Sequence, residues 1–229
     1  MESTYLINFI NLKCHNVMNK YKPLVDNSSK IITFFKKKIS IQKQKTFIII
    51  TANPFLKNSK GFFCLKEAFN RIDSNQIAFD ILNLYDYDIP FRATHTKADQ
   101  NITKIFNIIN KYNNWIFVYP IWWSNTPAIL KNFIDWLGFF SLTYINGKPK
   151  GLLKNKKIII IAACSNNEKK YTKKQKQYIK QQLGKEFFEF CGAKLIKCFL
   201  ISGTSSITSQ RLNDYIKSIQ TTIIASDKA

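Results

Sequence analysis

The fold is indicated most clearly by residues 115–137, which read WIFVYPIWWSNTPAILKNFIDWL. The first five, Trp115–Tyr119, form a continuous apolar run, which is typical of a strand buried on both faces of a sheet. A loop follows, and Pro127 is well placed at the first position of a helix. The apolar residues of that helix recur on one face, at Ala128, Ile129, Phe133, Ile134 and Leu137. The stretch therefore predicts a buried strand, a loop and an amphipathic helix.

Four more runs rich in β-branched residues occur along the chain, at Thr46–Thr51, Ile77–Asn83, Lys157–Ala163 and Leu195–Ile201. Segments with helical periodicity separate them, and Asp99 and Thr208 are placed to cap two of the helices. Five strands separated by helices predict an α/β domain with a doubly wound parallel sheet and helices on both faces. The strand count favours the flavodoxin-like order 2-1-3-4-5, in which ligands bind beyond the carboxyl ends of strands 1 and 3.

The loop after strand 1 runs from Asn53 to Gly61 and leads into a helical segment, Phe62–Asn70. A helix amino terminus there would suit a phosphate, to which Asn53, Asn58 and Ser59 could add hydrogen bonds. Neither GxGxxG nor GxxxxGK[ST] occurs in the sequence, which disfavours a Rossmann dinucleotide site and a P-loop. The alternative is that these Asn and Ser residues are ordinary turn formers.

Trp122 and Trp123 stand side by side in the loop after strand 3, at the carboxyl edge of the predicted sheet. Two aromatic planes and the N–H groups of a loop would suit an isoalloxazine ring, contacting its face and bonding its polar edge. The alternative is that both indoles simply pack against a neighbouring part of the chain.

Residues Pro120–Leu137 resemble the central motif of the flavodoxin-like NAD(P)H:quinone oxidoreductases, which include quinone reductases, modulators of drug activity and flavin-dependent azoreductases. Residues Tyr144–Lys157, with Gly151-Leu152-Leu153-Lys154 among them, resemble that family's approach to strand 4. The resemblance covers residues 46–223 in element order. It implies an enzyme that transfers hydride from NAD(P)H, through FMN or FAD, to a quinone-like acceptor, and that is a homodimer.

By this resemblance the loop after strand 1 holds the flavin phosphate, and the ring is lined by Pro120, Ile121, Trp122, Trp123 and Ser124. The loop after strand 4 adds Ala163, Cys164, Ser165 and Asn166, and Tyr171 is the candidate catalytic residue, as a hydrogen-bond donor to the reduced acceptor.

The sequence also departs from the family pattern. Asn53 stands where many relatives have histidine or serine, and Ser165-Asn166 replace two glycines. Because asparagine tolerates left-handed dihedral angles, we expect the turn at Asn166 to survive. The histidine that accompanies the tyrosine in some relatives has no match, and Gln177 is nearby instead.

The formal charge of +21 raises nucleic acid as a partner, but only Arg71, Arg92 and Arg211 are arginines. Because the bidentate guanidinium fork is nearly absent, a solvated lysine surface is favoured over a nucleic-acid face. Five widely spaced cysteines without a CxxC pair indicate neither a disulfide framework nor a metal site. A reducing compartment fits these cysteines best, so we expect a cytoplasmic protein. No apolar run approaches the roughly 18 residues of a membrane span, so we expect no membrane insertion.

Residues 1–44 are predicted to be a basic extension, helical or poorly ordered, ahead of a flavin-binding domain at residues 45–229. Glu2 argues against a secretory signal, and the absence of arginine from the extension argues against a mitochondrial transit peptide. A start codon assigned too early, with Met18 as another candidate, is the alternative.

Two other functions stay open. A flavodoxin-type electron carrier would dock onto protein partners without oxidising NAD(P)H, but such carriers are typically acidic and this chain is basic. Some relatives are regulatory subunits of membrane potassium efflux transporters, and the basic extension leaves room for that role.

Overall fold

The structure, a computed structural model, describes residues 44–91 and 99–226, with Lys170 described by its backbone alone. The predicted extension lies outside these ranges apart from Gln44, so its role stays a prediction. The described strands are β1 (Lys45–Thr51), β2 (Ile77–Asn83), β3 (Asn114–Pro120), β4 (Leu142–Ile145), β5 (Lys148–Gly151), β6 (Lys157–Cys164) and β7 (Lys194–Ser202). The described α-helices are α1 (Lys60–Asn70), α2 (Gln100–Ile109), α3 (Ala128–Ser141), α4 (Lys169–Ile179) and α5 (Ser209–Ala225).

Five of the strands form one parallel sheet in the order β2-β1-β3-β6-β7. Counting only these strands, the order is 2-1-3-4-5, so the predicted flavodoxin-like α/β fold is confirmed. The predicted strand boundaries lie within one residue of the observed ones. The caps at Asp99 and Thr208 are confirmed as well, because each side chain accepts a hydrogen bond from the first turn of its helix.

Both faces of the sheet are covered, which is why the strand sequences are apolar without alternation. Along β1, Ile48 and Ile50 pack toward α2, α3 and α4, whereas Phe47 and Ile49 pack toward α1 and α5. The edge strand β2 differs from this pattern. Phe79 and Ile81 are substantially exposed, so the expectation that the runs are buried on both faces is wrong for β2.

The start of α3 also differs from the prediction. Pro127 is the N-cap of the helix rather than its first residue, and its carbonyl accepts from the N–H groups of Leu130 and Lys131. Ala128 is exposed, whereas Leu130 is buried. The buried face of the helix is therefore rotated about the helix axis relative to the predicted one, so that it includes Leu130 and excludes Ala128.

Helix α4 continues into a π-helical stretch, Lys180–Glu189. Its wider winding is visible in the bond from the Phe190 N–H to the Lys185 carbonyl, five residues back, at 3.1 Å. The sequence carries a matching signal, because apolar residues recur every four positions rather than every 3.6, at Ile179, Leu183, Phe187 and Cys191.

The glycine-leucine-leucine segment before β6 anchors the chain. A Cβ built on Gly151 would lie 2.3 Å from the Cys191 carbonyl carbon, so only glycine fits there. Leu153 is buried and donates its N–H to the Cys191 carbonyl at 2.9 Å. The Lys156 ammonium donates to the carbonyl of Asn110, the C-cap of α2, at 2.6 Å, and burial lowers the pKa of this lysine.

Strands β4 and β5 form an antiparallel hairpin that the sequence analysis did not predict. Its two central residues, Asn146 and Gly147, have φ of +52° and +73°, as a type I′ turn requires. In the described ranges, no helix combines the length and the apolarity that crossing a bilayer requires.

Candidate functional site

Three loops meet at the carboxyl edge of the main sheet, after β1, β3 and β6. Hydrogen bonds join the strand ends, because the Ala52 N–H donates to the Val118 carbonyl at 3.1 Å and the Ile121 N–H donates to the Ala163 carbonyl at 2.7 Å. The winding of the chain reverses between β1 and β3, since β2 lies on one side and β6 and β7 on the other. Ligands of open α/β sheets bind at such a switch point, so this edge is the candidate site.

The loop after β1 is shaped by its own polar side chains. Asn53 Oδ1 accepts from the Phe55 N–H at 2.9 Å, and Ser59 Oγ accepts from the Phe62 N–H at 3.2 Å as the N-cap of α1. Asn53 and Ser59 are buried, whereas Asn58 is exposed at the end of a short 3-10 turn. The turn-forming alternative of the sequence analysis therefore describes Asn53 and Ser59 correctly. Their hydrogen bonds stay within this loop and the first turn of the helix.

The start of α1 nevertheless has the properties of an anion site. The first N–H groups of a helix have no partner inside the helix, and no acidic residue lies in the first turn of α1. Exposed Lys57 and Lys60 flank it. Gly61 brings the helix close to the strand ends, since a Cβ built on it would lie 3.4 Å from Val118 Cγ1 and 3.5 Å from Ala163 Cβ. A phosphate at this terminus would therefore sit directly beside the carboxyl edge of the sheet.

The loop after β3 contains a tight turn in an uncommon conformation. Trp122 and Asn125 exchange backbone hydrogen bonds of 3.0 and 2.9 Å, and the two residues between them, Trp123 and Ser124, have φ of +50° and +62°. Positive φ at both central positions defines a type I′ turn, which normally uses Asn and Gly. A bulky residue in the left-handed region is a genuine outlier, and such outliers cluster at ligand sites.

Neither tryptophan is hidden in the core of the described chain. The Trp123 side chain is 100% exposed and Trp122 is 42% exposed, whereas Ile121 is buried. The alternative that both indoles pack against a neighbouring part of the chain therefore fails for Trp123 within the described residues. A strained backbone thus presents a large apolar ring to the outside, at the switch point of the sheet.

Helix α4 holds this turn in place from one side. The buried Gln175 donates from Nε2 to the Ser124 carbonyl at 2.8 Å. The hydroxyl groups of Ser124 and Tyr171 lie 3.3 Å apart, within hydrogen-bond distance. Trp123, Tyr171, Lys174 and Tyr178 line a cleft of about 400 Å³ beside the turn. The cleft combines three aromatic rings with one cation.

The loop after β6 closes the site from the other side. The Gly203 N–H donates to the Asn166 carbonyl at 3.1 Å, and Asn166 Oδ1 accepts from the Glu168 N–H at 2.8 Å. Neither Ser165 nor Asn166 has a positive φ, so the expected left-handed turn at Asn166 is wrong. The left-handed residue of this region is Gly203, at +71°, on the neighbouring loop after β7. Burial raises the pKa of the Cys164 thiol, so this cysteine is not an activated nucleophile.

Two side chains in the helical part of the 120–137 motif form hydrogen bonds to the segment that follows β2. The Trp136 indole donates to the Pro90 carbonyl at 2.7 Å, and Asn132 Nδ2 donates to the same carbonyl at 3.1 Å. These two polar side chains therefore have a structural role, and the part of the motif that faces outward is the turn.

The sequence pattern of a protein family described as having a flavodoxin-like fold matches residues 45–223. The chain belongs to this family. A search of curated proteins gives no match.

Several solved structures have the same fold. One is a provisionally named quinone reductase from Klebsiella pneumoniae, with a TM-score of 0.65, 14% identity, and 80% of this chain and 85% of that chain covered. An NAD(P)H:quinone oxidoreductase from Methanothermobacter marburgensis gives 0.63 at 14% identity, covering 78% and 96%. An FMN-dependent NADH-azoreductase from Bacillus anthracis, in complex with FMN, gives 0.60 at 20% identity, covering 81% and 100%. At these identities the likeness shows the fold.

The predicted site residues of this family member lie at one edge of the sheet. Most are in the loops after β1, β3 and β6, Pro120, Ala163 and Cys164 are at the ends of β3 and β6, and Tyr171 is in the first turn of α4. The structure brings Ser124 and Tyr171 together, and it joins Ile121 to Ala163. Gln175 is a site residue that the sequence analysis missed, whereas Gln177, which it noted, is exposed. The described residues contain no group of three or more His, Cys, Asp or Glu side chains that could hold a metal ion.

Proposed function

We propose that this flavodoxin-like protein is a flavin-dependent NAD(P)H oxidoreductase that passes hydride to a quinone or a similar aromatic acceptor. The observation that carries the proposal is the turn at Trp123, where a left-handed backbone exposes a whole indole at the switch point. Strained backbone conformations of this kind cluster at active sites and ligand-binding sites. The names of the structural neighbours, quinone reductases and an FMN-dependent azoreductase, agree with the proposal.

FMN is the proposed cofactor, and the described residues fit its two ends. The start of α1, with its N–H groups and Lys57 and Lys60, would hold the phosphate. Residues 121–124 would contact the isoalloxazine ring with the two indoles and with the backbone N–H groups of Trp123 and Ser124, because those of Ile121 and Trp122 already donate within the chain. The bound flavin would supply the hydride chemistry, while the protein binds, orients and excludes water. FAD would share both contacts, so the cofactor test below includes it.

The acceptor would lie in the cleft of Trp123, Tyr171 and Tyr178. Its aromatic walls suit a flat apolar molecule. The Tyr171 hydroxyl, which Ser124 orients at 3.3 Å, would donate a hydrogen bond to an oxygen of the acceptor and stabilise the charge that develops on it. Tyr171→Phe should therefore lower kcat/KM for a quinone while FMN binding stays unchanged.

The test is a titration of the full chain with FMN and with FAD, followed by visible absorbance and equilibrium dialysis. We expect FMN to bind, and Trp122→Ala and Trp123→Ala to raise its Kd about tenfold, as expected for a lost aromatic stack of roughly 1–3 kcal/mol. Tyr144→Ala, at an exposed aromatic on the β4–β5 hairpin, is the matched control and should change nothing.

Each step has its own refutation. A protein that stays colourless after dialysis with either flavin refutes the flavoprotein proposal. Bound flavin without quinone-dependent oxidation of NADH or NADPH would leave the electron-carrier or regulatory function instead.

We also propose a homodimer in the cytoplasm. The homodimer is what the family resemblance implies, and analytical ultracentrifugation would test the subunit count. The four described cysteines, Cys64, Cys164, Cys191 and Cys198, are unpaired thiols, which agrees with a reducing compartment.

A further inference from the structure

A cleft of about 400 Å³ lies between the π-helical stretch and β7, the edge strand on the side of the sheet opposite β2. Four of its wall residues are lysines: Lys176 of α4, Lys180 and Lys185 of the π-helical stretch, and Lys197 of β7. This space is called the basic cleft below. It shares no wall residue with the cleft beside the turn at Trp123.

The helical wall of the basic cleft depends on the change from α-helical to π-helical winding. Lys176 and Lys180 are four residues apart and therefore lie on one face of the helix. Lys185 follows five residues later, and residues five apart are about one turn apart in a π-helix. A Cβ built on Gly184 would lie 2.5 Å from Leu195 Cδ2, so this segment packs tightly against β7. The unusual winding thus places three lysines on the side of the segment that faces the strand.

The strand wall is irregular as well. Ile196 is an extra residue in β7, because its two neighbours in the chain pair with Ile158 and Ile159, which are consecutive residues of β6. Lys197 follows this bulge, and its ammonium lies 5.4 Å from the centroid of the Phe199 ring. Bulges change the direction of side chains and are common next to active sites, and π-helical segments are frequent at functional sites. Two such irregularities therefore meet at one cleft.

The lysines of the basic cleft are not neutralised by acidic side chains. No carboxylate of the described residues lies within 4 Å of any of the four ammonium groups. Glu189 is the single acidic wall residue, so four lysines and one glutamate leave an excess of three positive charges. Burial raises the pKa of the Cys198 thiol, another wall residue, to about 11, and the charges of Lys176 and Lys180 oppose this rise. Like charges held this close destabilise one another, and a bound anion would relieve the repulsion.

We propose that the basic cleft binds a small molecule that carries two or more linked phosphate groups. Lysine binds phosphate as a point charge, and four ammonium groups around one concave space match several phosphates better than one. The volume is in the range of small-molecule sites. Scattered lysines elsewhere on the surface lack this convergence of a helix and a strand. The binding claim does not depend on the proposed flavin chemistry.

The probe for the test is inorganic tripolyphosphate, titrated by isothermal calorimetry into the full chain without flavin. Salt at about 0.15 M screens scattered surface charges, so we expect saturable binding there, and orthophosphate should bind at least about tenfold more weakly. The double variant Lys180→Gln/Lys197→Gln should raise the Kd for tripolyphosphate more than about tenfold, because two charge-assisted contacts are lost. The matched control, Lys66→Gln/Lys104→Gln, removes the same charge from exposed lysines of α1 and α2 and should leave the Kd unchanged.

The outcomes separate the basic cleft from the other basic parts of the protein. Equal weakening in both double variants would show that net charge alone holds the probe, and it would overturn the site. Weakening only in Lys57→Gln/Lys60→Gln would place the probe at the start of α1, the proposed flavin phosphate site, and would overturn it too. A single-stranded oligonucleotide that binds where tripolyphosphate does not would make this a nucleic-acid surface instead.

Two further controls keep the test decisive. If FMN does not bind at all, the proposed function fails while the tripolyphosphate series still tests the basic cleft. If circular dichroism shows Lys180→Gln/Lys197→Gln to be unfolded, Lys180→Gln alone replaces it, since this side chain is exposed. ADP and pyrophosphate, titrated in parallel, distinguish a nucleotide from an inorganic polyphosphate as the ligand, and weaker binding of either in the Lys180→Gln variant supports the site.

Discussion

Replacing Trp123 with asparagine should make the protein more stable and its candidate flavin site weaker. Two type I′ turns within the described residues can be compared directly. The β4–β5 hairpin uses Asn146 and Gly147, the residues that such a turn prefers, whereas the turn after β3 places Trp123 and Ser124 at the same two positions. Trp123→Asn gives the second turn the first residue of the hairpin turn without changing its length.

The expected gain in stability of Trp123→Asn follows from the φ angle of Trp123 and from the exposure of its side chain. A left-handed conformation costs an ordinary L-residue roughly 1–2 kcal/mol, and asparagine tolerates it best among the non-glycine residues. Because the Trp123 side chain is 100% exposed, its removal sacrifices no burial. The free energy of unfolding should therefore rise by about 1 kcal/mol. With a urea m-value of roughly 1–3 kcal/mol per M, the midpoint should move up by about 0.3–1 M.

Trp122→Asn is the matched control, because it makes the same substitution one residue earlier. Trp122 is 42% exposed and has no positive φ, so asparagine there removes burial without relieving strain. At about 25 cal/mol per Å² this should cost roughly 2 kcal/mol. Both variants are followed by circular dichroism in urea. A loss of stability in Trp123→Asn as large as that in Trp122→Asn would refute the strain argument. FMN binding should weaken in both variants, so Trp123→Asn alone should combine greater stability with poorer binding.

Three further predictions concern other parts of the fold. Gly151→Ala should lower the free energy of unfolding by about 3 kcal/mol, because a Cβ there would lie 2.3 Å from the Cys191 carbonyl carbon. Gly147→Ala is the control, because a Cβ built on Gly147 would have no atom within 4 Å, and it should lower the free energy of unfolding by only about 1 kcal/mol through its positive φ. Equal losses of stability in the two variants would contradict the argument that Gly151 is needed for its close approach to Cys191. Gln175→Leu should weaken FMN binding and cost roughly 1–3 kcal/mol by unpairing the Ser124 carbonyl, whereas Gln177→Leu should leave both unchanged. Burial raises the pKa of three thiols, those of Cys64, Cys191 and Cys198, to about 11. Because the unfolded chain releases these protons at lower pH than the folded chain, the free energy of unfolding should fall between about pH 9 and 11. Urea unfolding at a series of pH values should show a steeper fall for the native sequence than for Cys64→Ala.

The parallel sheet could be predicted because its signal is local. Each strand of the core is a short continuous apolar run, and the helix caps lie at single readable positions such as Asp99 and Thr208. The β4–β5 hairpin carries an equally local turn signal, since Asn146-Gly147 is the strongest short hairpin motif. Its second strand, Lys148–Gly151, contains a proline and two lysines and therefore lacks the pattern of a strand. The exposure of β2 is not written in its own residues, but it follows from the predicted order 2-1-3-4-5, which already places strand 2 at an edge of the sheet.

The site was predictable only in part, for a physical reason. The location of Trp122 and Trp123 follows from the strand order and the switch-point rule. The contact between Gln175 and Ser124 joins residues 51 positions apart and depends on where α4 crosses the turn, which no periodicity encodes. The left-handed φ of Trp123 is even less accessible, because the local preference of tryptophan opposes it.

That opposition is itself an argument about function. Asparagine or glycine at position 123 would form the same turn at lower energy, and the hairpin shows that this chain uses them where only a turn is needed. Two residues of α4 also contact the turn: the buried Gln175 donates to the Ser124 carbonyl, and the Tyr171 hydroxyl lies within hydrogen-bond distance of the Ser124 hydroxyl. A turn that is strained, held by a second element and occupied by an indole with no packing role among the described residues is best explained by what the indole touches outside the chain. The stability of Trp123→Asn and its affinity for FMN therefore both test whether the strained turn is kept for a ligand that the indole contacts. A variant that neither gains stability nor loses FMN binding would refute this explanation of the turn.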